Sequence, residues 1–336
     1  MSTESTLRWA AIGASNIAAG KMIPTIRATG GEVISVLSND AERGKAFASE
    51  HDIAASYTSI DELLADENLD AVYVSTTNEL HYEQVLASAT AGKHVLCEKP
   101  LATSLADAQK MADACAENGV VMATNHHLRN SHSHQLIRDL IRDGAIGVPN
   151  SARVFHAVYL RQALQGWRIN APNSGGGVVL DITVHDVDSL RYLLDANPTE
   201  TVSLNHNTGL ASDTLEDGNM CVLKFDNNLL AQIHVSFAVP FAGHGLEIHG
   251  SEGSIFASGV MAQGGDQKVM LRNADGEKHL EITPSNYYET GLLAFHAAVW
   301  GEGDVAASAE DGLWSLATAI AVLESARTGE RQSISL

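Results

Sequence analysis

The stretch His94-Val-Leu-Cys-Glu-Lys-Pro100 decides the fold of this chain. Three apolar residues run into a charged pair and a proline, which is typical of a buried parallel strand that stops abruptly. In an open α/β sheet the ligand crevice lies at the carboxyl ends of the strands, so Lys99 is predicted to stand at that crevice. Pro100 restricts Lys99 to extended conformations, and the Lys99–Pro100 peptide bond can be either cis or trans. The alternative is a salt-bridged lysine that ends an ordinary strand.

Strand and helix patterns alternate on both sides of this stretch, at a spacing that predicts a doubly wound parallel sheet of the Rossmann type. The strand patterns fall at 7–12, 32–37, 71–75 and 120–124, and the helical patterns include 41–50, 59–65 and 103–118. We expect a dinucleotide-binding Rossmann domain at 1–125, and thus an α/β protein.

The pattern changes from about residue 150. Strand-like segments with mostly hairpin-length connections follow one another, interrupted by a helix after Gly175–Gly177 and by a late helix pair within 286–327. We expect residues 126–336 to form a substrate-binding α+β domain with a large, mostly antiparallel open sheet, and a late C-terminal return to the first domain is left open. The uncovered face of such a sheet suggests a homodimer, with a monomer as the alternative.

Charge and cysteine usage narrow the function classes. Lys and Arg total 21 against 41 Asp and Glu, a formal net charge of −20, so neither nucleic acid nor a membrane surface is expected as a partner. Cys97, Cys115 and Cys221 form no CxxC pair, which indicates free thiols in a reducing compartment. The polar N-terminus predicts no signal peptide, and no apolar run is long enough to span a bilayer. We expect a cytoplasmic protein.

The turn after the first strand is the expected place for a dinucleotide phosphate. The segment Gly13-Ala14-Ser15-Asn16-Ile17-Ala18 reads G-x-S-x-x-A where the fingerprint has G-x-G-x-x-G. Gly13 still permits the tight turn and Ala18 the close helix packing, while the Ser15 hydroxyl replaces a glycine and can donate to a phosphate oxygen. A structural strand-to-helix turn of small residues is the alternative.

The end of the next strand bears on the choice of cofactor. An acidic residue there would bind the ribose 2′-hydroxyl of NAD, but the position is held by Ser38, with Arg43 one helical turn further on. A hydroxyl and a guanidinium favour a 2′-phosphate, so the sequence predicts NADP. Asp40 lies near enough to keep NAD as an alternative.

A helix beginning near Val178 carries the other candidate catalytic pair. Asp181 and His185 are four residues apart and share one helix face, where the carboxylate can hold the tautomer of the imidazole. A metal site is not expected, because no third ligand with suitable spacing appears. Most of the histidines in a segment predicted to be a polar loop are interpreted as surface or helix-cap residues: His126, His127, His132 and His134.

The pair Trp167-Arg168, predicted to lie in a loop, suits stacking and anion binding. An anchoring aromatic residue with a solvated neighbour is its alternative.

With these residues in place, the chain resembles the Gfo/Idh/MocA family of nicotinamide-dependent oxidoreductases. The resemblance rests on the nucleotide turn, on Glu98-Lys99-Pro100, and on Asp181 with His185. Long similar runs, such as Ala71–His81 and Gly92–Ala102, point to the branch that reduces the C2 carbonyl of 1,5-anhydro-D-fructose to 1,5-anhydro-D-mannitol with NADPH. A sugar or inositol dehydrogenase of the same fold and a non-catalytic NADP-binding sensor are the alternatives.

The resemblance also implies roles for individual residues. It places Lys99, Asp181 and His185 in the catalytic group. The cofactor contacts it implies are Ser15, Ala18, Ser38, Asn39, Arg43, Thr76, Thr77, Asn78, Glu79, Leu80, His81, Glu98, Asn125, Trp167, Arg168 and Tyr288. Asn39 departs from the expected pattern, which has a small hydroxyl residue there, and this departure bears on cofactor preference.

Overall fold

The computed structural model describes residues 6–336, so the N-terminal residues 1–5, where we expect no targeting signal, lie outside the described part. The chain divides into two compact units. The first contains the residues up to His127 together with Tyr288–Leu313, and the second contains Leu128–Tyr287 together with Trp314–Leu336.

The first unit is built on a parallel sheet of six strands in the spatial order β3-β2-β1-β4-β5-β6. This is the strand order of a dinucleotide-binding fold, in which ligands bind outside the carboxyl ends of the strands. The strands are β1 (Arg8–Ile12), β2 (Glu32–Leu37), β3 (Ala55–Tyr57), β4 (Ala71–Val74), β5 (His94–Cys97) and β6 (Met122–Thr124). The helices between them are α1 (Ile23–Ala28, preceded by a π-helical turn at Ala18–Met22), α2 (Ala41–Glu50), α3 (Ile60–Leu64), α4 (His81–Thr90) and α5 (Leu105–Glu117).

The core of this unit forms around Trp9 on β1, which is fully buried. Its indole packs against Phe295 from the late segment, with 5.1 Å between the ring centroids, and Met22 and Ile26 belong to the same buried cluster. Burial of each such side chain stabilises the fold by about 1.5–3 kcal/mol.

The second unit is built on a sheet of nine strands in the order β14-β13-β12-β11-β7-β10-β9-β8-β15. Every pairing is antiparallel except that of β10 with β7. The strands are β7 (Pro149–Tyr159), β8 (Pro198–His206), β9 (Gly218–Phe225), β10 (Leu230–Ser236), β11 (Ala238–Gly250), β12 (Gly253–Ser258), β13 (Lys268–Asn273), β14 (Gly276–Leu280) and β15 (Gln332–Ser333). The predicted fold class, a Rossmann sheet followed by a mostly antiparallel open sheet, is confirmed.

The remaining helices are α6 (His132–Arg142), α7 (Gln162–Asn170), α8 (Val184–Leu194, preceded by a π-helical turn at Val179–Thr183), α9 (Tyr287–Val299) and α10 (Ala309–Thr328). Helices α8 and α10 lie on one face of the large sheet. Asp186 bonds to His156 of β7, and the Ser325 hydroxyl accepts a hydrogen bond from the N–H of Ser203 on β8. Within the described residues, no helix combines the length and apolar character needed to cross a bilayer.

Two segments predicted as loops are helical. His132–Arg142 forms α6, whose first turn is capped by the Ser131 hydroxyl, which accepts a hydrogen bond from the N–H of His134 at 3.1 Å. Trp167 and Arg168 lie in α7, which is interrupted at Gly166, where φ is +29°. Serine and histidine in the first case, and glycine in the second, obscured the helical pattern.

Candidate active site

The turn after β1 has the shape that a dinucleotide phosphate requires. Gly13 has φ of +107°, and a Cβ atom there would lie 3.1 Å from the backbone carbon and oxygen of Ser75, so only glycine fits. The Ser15 hydroxyl bonds to that of Ser75 at 2.8 Å and accepts a hydrogen bond from the N–H of Ala18 at 3.1 Å. These contacts fix the turn in place, and its residues fit a nicotinamide dinucleotide.

The end of β2 gathers three of the predicted cofactor residues. Nε of Arg43 donates to the Ser38 hydroxyl at 3.2 Å, and Nη2 donates to Oδ1 of Asn39 at 2.7 Å. Asp40 instead caps α2, where its Oδ1 accepts a hydrogen bond from the N–H of Arg43 at 2.9 Å. The guanidinium is therefore held by two neutral side chains while the nearby carboxylate serves the helix end.

The predicted contact segment Thr76–His81 follows β4. Its His81 ring is fully buried, with Nδ1 3.0 Å from the carbonyl oxygen of Pro100 and Nε2 3.3 Å from that of Thr76. Burial lowers the pKa of His81, although the facing carbonyl groups oppose the shift. The imidazole thus ties this segment to the residues directly after Lys99. Asn78 is also buried, whereas Leu80 is exposed.

Glu98 and Lys99 follow β5 directly, and the Lys99–Pro100 bond is cis. The N–H of Glu98 donates to the carbonyl of Val74 at 2.9 Å, which holds Glu98 beside β4. Its Oε1 accepts two hydrogen bonds of 2.6 Å, one from the Tyr73 hydroxyl and one from Nδ2 of Asn125. The structure therefore brings the predicted residues Glu98 and Asn125 together.

Tyr288 belongs to the same region of the first unit. Its ring stacks on that of His127, with 4.8 Å between centroids. Burial, together with the Glu98 carboxylate, raises the pKa of Tyr288. Tyr73 was missed in the sequence because a tyrosine in a buried strand is ordinarily a core residue. Its polar tip, which needs a partner when buried, was the available signal.

In the second unit, Asp181 lies in the π-helical turn and His185 in the first turn of α8, where it is largely buried. Nε of Arg168 donates to Oδ2 of Asp181 at 3.2 Å. The guanidinium carbon of Arg168 lies 4.7 Å from the ring centroid of Trp167. The structure thus brings three predicted site residues, Trp167, Arg168 and Asp181, into one contact network.

Glu216 holds the start of the segment that carries Asp181. Its Oε1 accepts a hydrogen bond from the N–H of Val179 at 3.0 Å, and its carbonyl accepts one from the N–H of Val178 at 3.1 Å. Gly177 has φ of +103°, and a Cβ atom there would lie 2.3 Å from Oε1 of Glu216. Burial raises the pKa of Glu216, although the Val179 N–H opposes the shift. Glu216 was not predicted from the sequence, because it lies in a polar loop far along the chain from the segment it contacts.

Asp186, the neighbour of His185, is fully buried, and its Oδ1 lies 2.9 Å from Nδ1 of His156. Burial raises the pKa of Asp186, and His156 opposes that shift. Asp186 therefore anchors α8 to the sheet.

The four histidines of the predicted loop serve different structural purposes. His127 stacks on Tyr288, and His132 contacts the carbonyl of Thr283 through Nδ1 at 2.9 Å. His134 is buried against Ser131, and burial lowers its pKa to about 4. His126 is buried as well, so the surface interpretation was wrong for His126 and His134. Among the described residues, no group of three or more His, Cys, Asp or Glu side chains has the arrangement to hold a metal.

The fold and these sites define a nicotinamide-dependent oxidoreductase. Residues 7–126 match the oxidoreductase family with the NAD-binding Rossmann fold, and residues 134–256 match the GFO/IDH/MocA C-terminal domain. The chain belongs to the Gfo/Idh/MocA family.

Known proteins resemble the chain over most of its length. It is 54% identical to the 1,5-anhydro-D-fructose reductase of Ensifer adhaerens, over 97% of this chain and 98% of that protein. It is 30% identical to the myo-inositol 2-dehydrogenase of Thermotoga maritima, over 84% and 85% respectively. The structure of aldose-aldose oxidoreductase from Caulobacter crescentus superposes with a TM-score of 0.89 at 23% identity, covering 98% of this chain and 100% of that one. That last likeness concerns the fold alone.

Proposed function

We propose that this protein reduces the C2 carbonyl of 1,5-anhydro-D-fructose to give 1,5-anhydro-D-mannitol, with NADPH as the reductant. The observation that carries the proposal is the 54% identity, over nearly the full length of both chains, to a reductase of that substrate. Most of the residues proposed to bind the cofactor belong to the first unit, and the second unit, which contains Asp181 and His185, binds the sugar.

NADPH is favoured over NADH by the residues after β2. A 2′-phosphate is an anion that Arg43 can bind with charge-assisted hydrogen bonds, and Ser38 adds a hydroxyl without repulsion. Asn39 orients Arg43 through its 2.7 Å hydrogen bond, which gives the departure from the expected hydroxyl residue a physical role. Asp40 is occupied as the cap of α2. The remaining cofactor residues are those after β1, β4 and β5 and the pair Trp167-Arg168.

The chemistry divides between two side chains. When bound, the reduced nicotinamide supplies a hydride to the carbonyl carbon. Lys99 stabilises the negative charge that develops on the carbonyl oxygen, the use for which a fixed cation is best suited. His185 supplies the proton, because an imidazole titrates nearest to working pH, and Asp181 orients it. The reverse assignment, in which Lys99 donates the proton, is the competing one.

Consumption of NADPH against a panel of ketosugars tests the proposal. We expect 1,5-anhydro-D-fructose to give the highest kcat/KM. If no ketosugar is reduced, the sensor alternative replaces the reductase. Preferential oxidation of myo-inositol would instead place the chain with the dehydrogenases, which the 30% identity to the Thermotoga maritima enzyme makes a specific alternative.

We also propose that the uncovered face of the large sheet pairs with a second copy. Val202 lies opposite Val222 and Leu204 opposite Met220 in the β8–β9 register, and all four are exposed, Leu204 by 71%. Although the chain is strongly acidic, this face carries three acidic against four basic side chains, so its charges nearly cancel and two copies can approach. They are Glu200, Glu247 and Glu277 against Arg153, Lys224, Lys268 and Arg272.

Sedimentation velocity of the wild type and of Leu204→Lys tests this pairing. A wild-type dimer that the substitution dissociates supports it, and a monomeric wild type refutes it.

The described cysteines are all buried and free, which supports the expected cytoplasmic location.

A further inference from the structure

Tyr73 and Asn125 both bond to one oxygen of Glu98. The two donors approach Oε1 at 2.6 Å each, distances typical of strong, charge-assisted hydrogen bonds. A carboxylate oxygen with two such donors cannot rotate freely.

The Tyr73 side chain reaches Glu98 through the core of the first unit. It is fully buried on β4, and the backbone N–H of Glu98 donates to Val74, the next residue on that strand. The Glu98 carboxylate is therefore held in one orientation by a side-chain contact and a backbone contact to β4.

The half-buried Glu98 carboxylate acts on two buried tyrosines, Tyr73 and Tyr288. Burial and the Glu98 carboxylate both raise the pKa of Tyr73, and the same two causes raise that of Tyr288. At low effective dielectric, a fixed charge acts more strongly on nearby developing charge than it would in water.

We propose that Tyr73 is a positioning residue that orients the Glu98 carboxylate so that it favours the positively charged, oxidised nicotinamide over the neutral, reduced one. The inference rests on the proposed function, in which Glu98 contacts the cofactor. A carboxylate held in this way stabilises the positive charge that the ring gains when hydride leaves, and so assists reduction of the sugar.

Direct binding of NADP⁺ and NADPH to Tyr73→Phe, measured by titration calorimetry, tests the inference without turnover. The phenylalanine ring fills the same core space and removes only the donor. Since a hydrogen bond to a charged group is worth about 1.5–3 kcal/mol and only part of it reaches the cofactor, we expect the Kd for NADP⁺ to rise roughly 3- to 10-fold. The Kd for NADPH should stay within about twofold.

Tyr287→Phe is the matched control, because Tyr287 is also buried and its hydroxyl contacts Gln267 in the second unit. It should leave the ratio of the two dissociation constants unchanged. Equal effects of Tyr73→Phe on both cofactors, or none on either, would overturn the inference.

Glu98→Gln separates this inference from the proposed function. The amide keeps an acceptor for Tyr73 and Asn125 and removes only the charge. It should raise the Kd for NADP⁺ selectively, and adding Tyr73→Phe should then change the ratio no further. If Glu98→Gln shifts the ratio but Tyr73→Phe does not, the positioning role is refuted. If Glu98→Gln alters neither constant, the cofactor role of Glu98 fails first.

Discussion

Nε of Arg168 donates a hydrogen bond to Oδ2 of Asp181 across 3.2 Å. The two residues are 13 positions apart and lie on either side of the Gly175–Gly177 segment, which itself bonds to the Arg168 carbonyl through the N–H of Gly177 at 2.8 Å. Arg168 thus fixes a proposed catalytic carboxylate in addition to any contact with cofactor.

We predict that Arg168 acts on turnover through Asp181. Arg168→Ala and Asp181→Asn should each lower kcat by at least about tenfold, equivalent to 1.4 kcal/mol. Because both remove the same ion pair, the double variant should be no worse than the poorer single variant. Steady-state kinetics of the four proteins measure this, and additive losses would show that the residues act independently. Arg161→Ala is the control, since Arg161 is exposed at the start of the same helix.

Replacement of His185 by alanine should cost roughly 10²–10⁴ in turnover, the usual contribution of a general acid. NADPH binding, measured by fluorescence titration, should be retained. The competing assignment predicts that Lys99→Met, and not His185→Ala, abolishes the ionisation seen in the pH profile of kcat. Turnover near the wild-type value would remove His185 from the mechanism.

Arg43→Ala should weaken NADPH binding by roughly 10- to 150-fold, because a charged hydrogen bond is worth about 1.5–3 kcal/mol. NADH lacks the phosphate, so its KM should hardly change. Ser38→Asp should go further and favour NADH, since it repels one cofactor and offers the ribose of the other an acceptor. Steady-state kinetics of each variant with NADPH and with NADH measure the difference between the two cofactors. Equal losses for the two in Arg43→Ala would make Arg43 structural.

We predict that the ionised Asp217 carboxylate makes the stability of the fold depend on pH in the acid range. Burial works to raise its pKa, but hydrogen bonds from Thr208, Leu210 and Ala211 outweigh burial and hold it below the usual 3.8. A carboxyl with a depressed pKa stabilises the fold above its unfolded pKa, and that contribution is lost as the pH falls through the folded value. Asp217→Asn should therefore be less stable than the wild type at pH 7 by at least about 1.5 kcal/mol.

Urea denaturation of both proteins between neutral pH and pH 3 measures the difference, which should shrink on acidification below 3.8, the ordinary pKa of the group. Asp213→Asn serves as the control, because Asp213 is exposed in the same loop. A difference that stays constant with pH would mean that the Asp217 charge contributes nothing.

The parallel sheet was predictable because its strands are short, buried on both faces and separated by helices of ordinary length. The end of β5 carried the most information, since the change from apolar to charged residues places Glu98 and Lys99 at the carboxyl edge. Strand β3 was not predicted, because three residues of mixed character show no period.

The contacts among site residues were less predictable than their identities. The residues after β2 lie close together in the chain, and Ser38 and Arg43 were proposed as cofactor residues from strand position alone. The partners Tyr73, Arg168 and Glu216 are 25, 13 and 37 positions from the residues they bond. Contacts between residues so far apart in the chain depend on the tertiary structure, which hydrophobic periodicity does not reveal.

Transfer of label from NADPH deuterated at C4 of the nicotinamide ring to 1,5-anhydro-D-fructose tests the central claim most directly. With one of the two C4 epimers of the labelled cofactor, proton NMR of the product should show 1,5-anhydro-D-mannitol with a single deuterium at C2. A product without deuterium at C2, or one with the configuration of 1,5-anhydro-D-glucitol, would contradict the account.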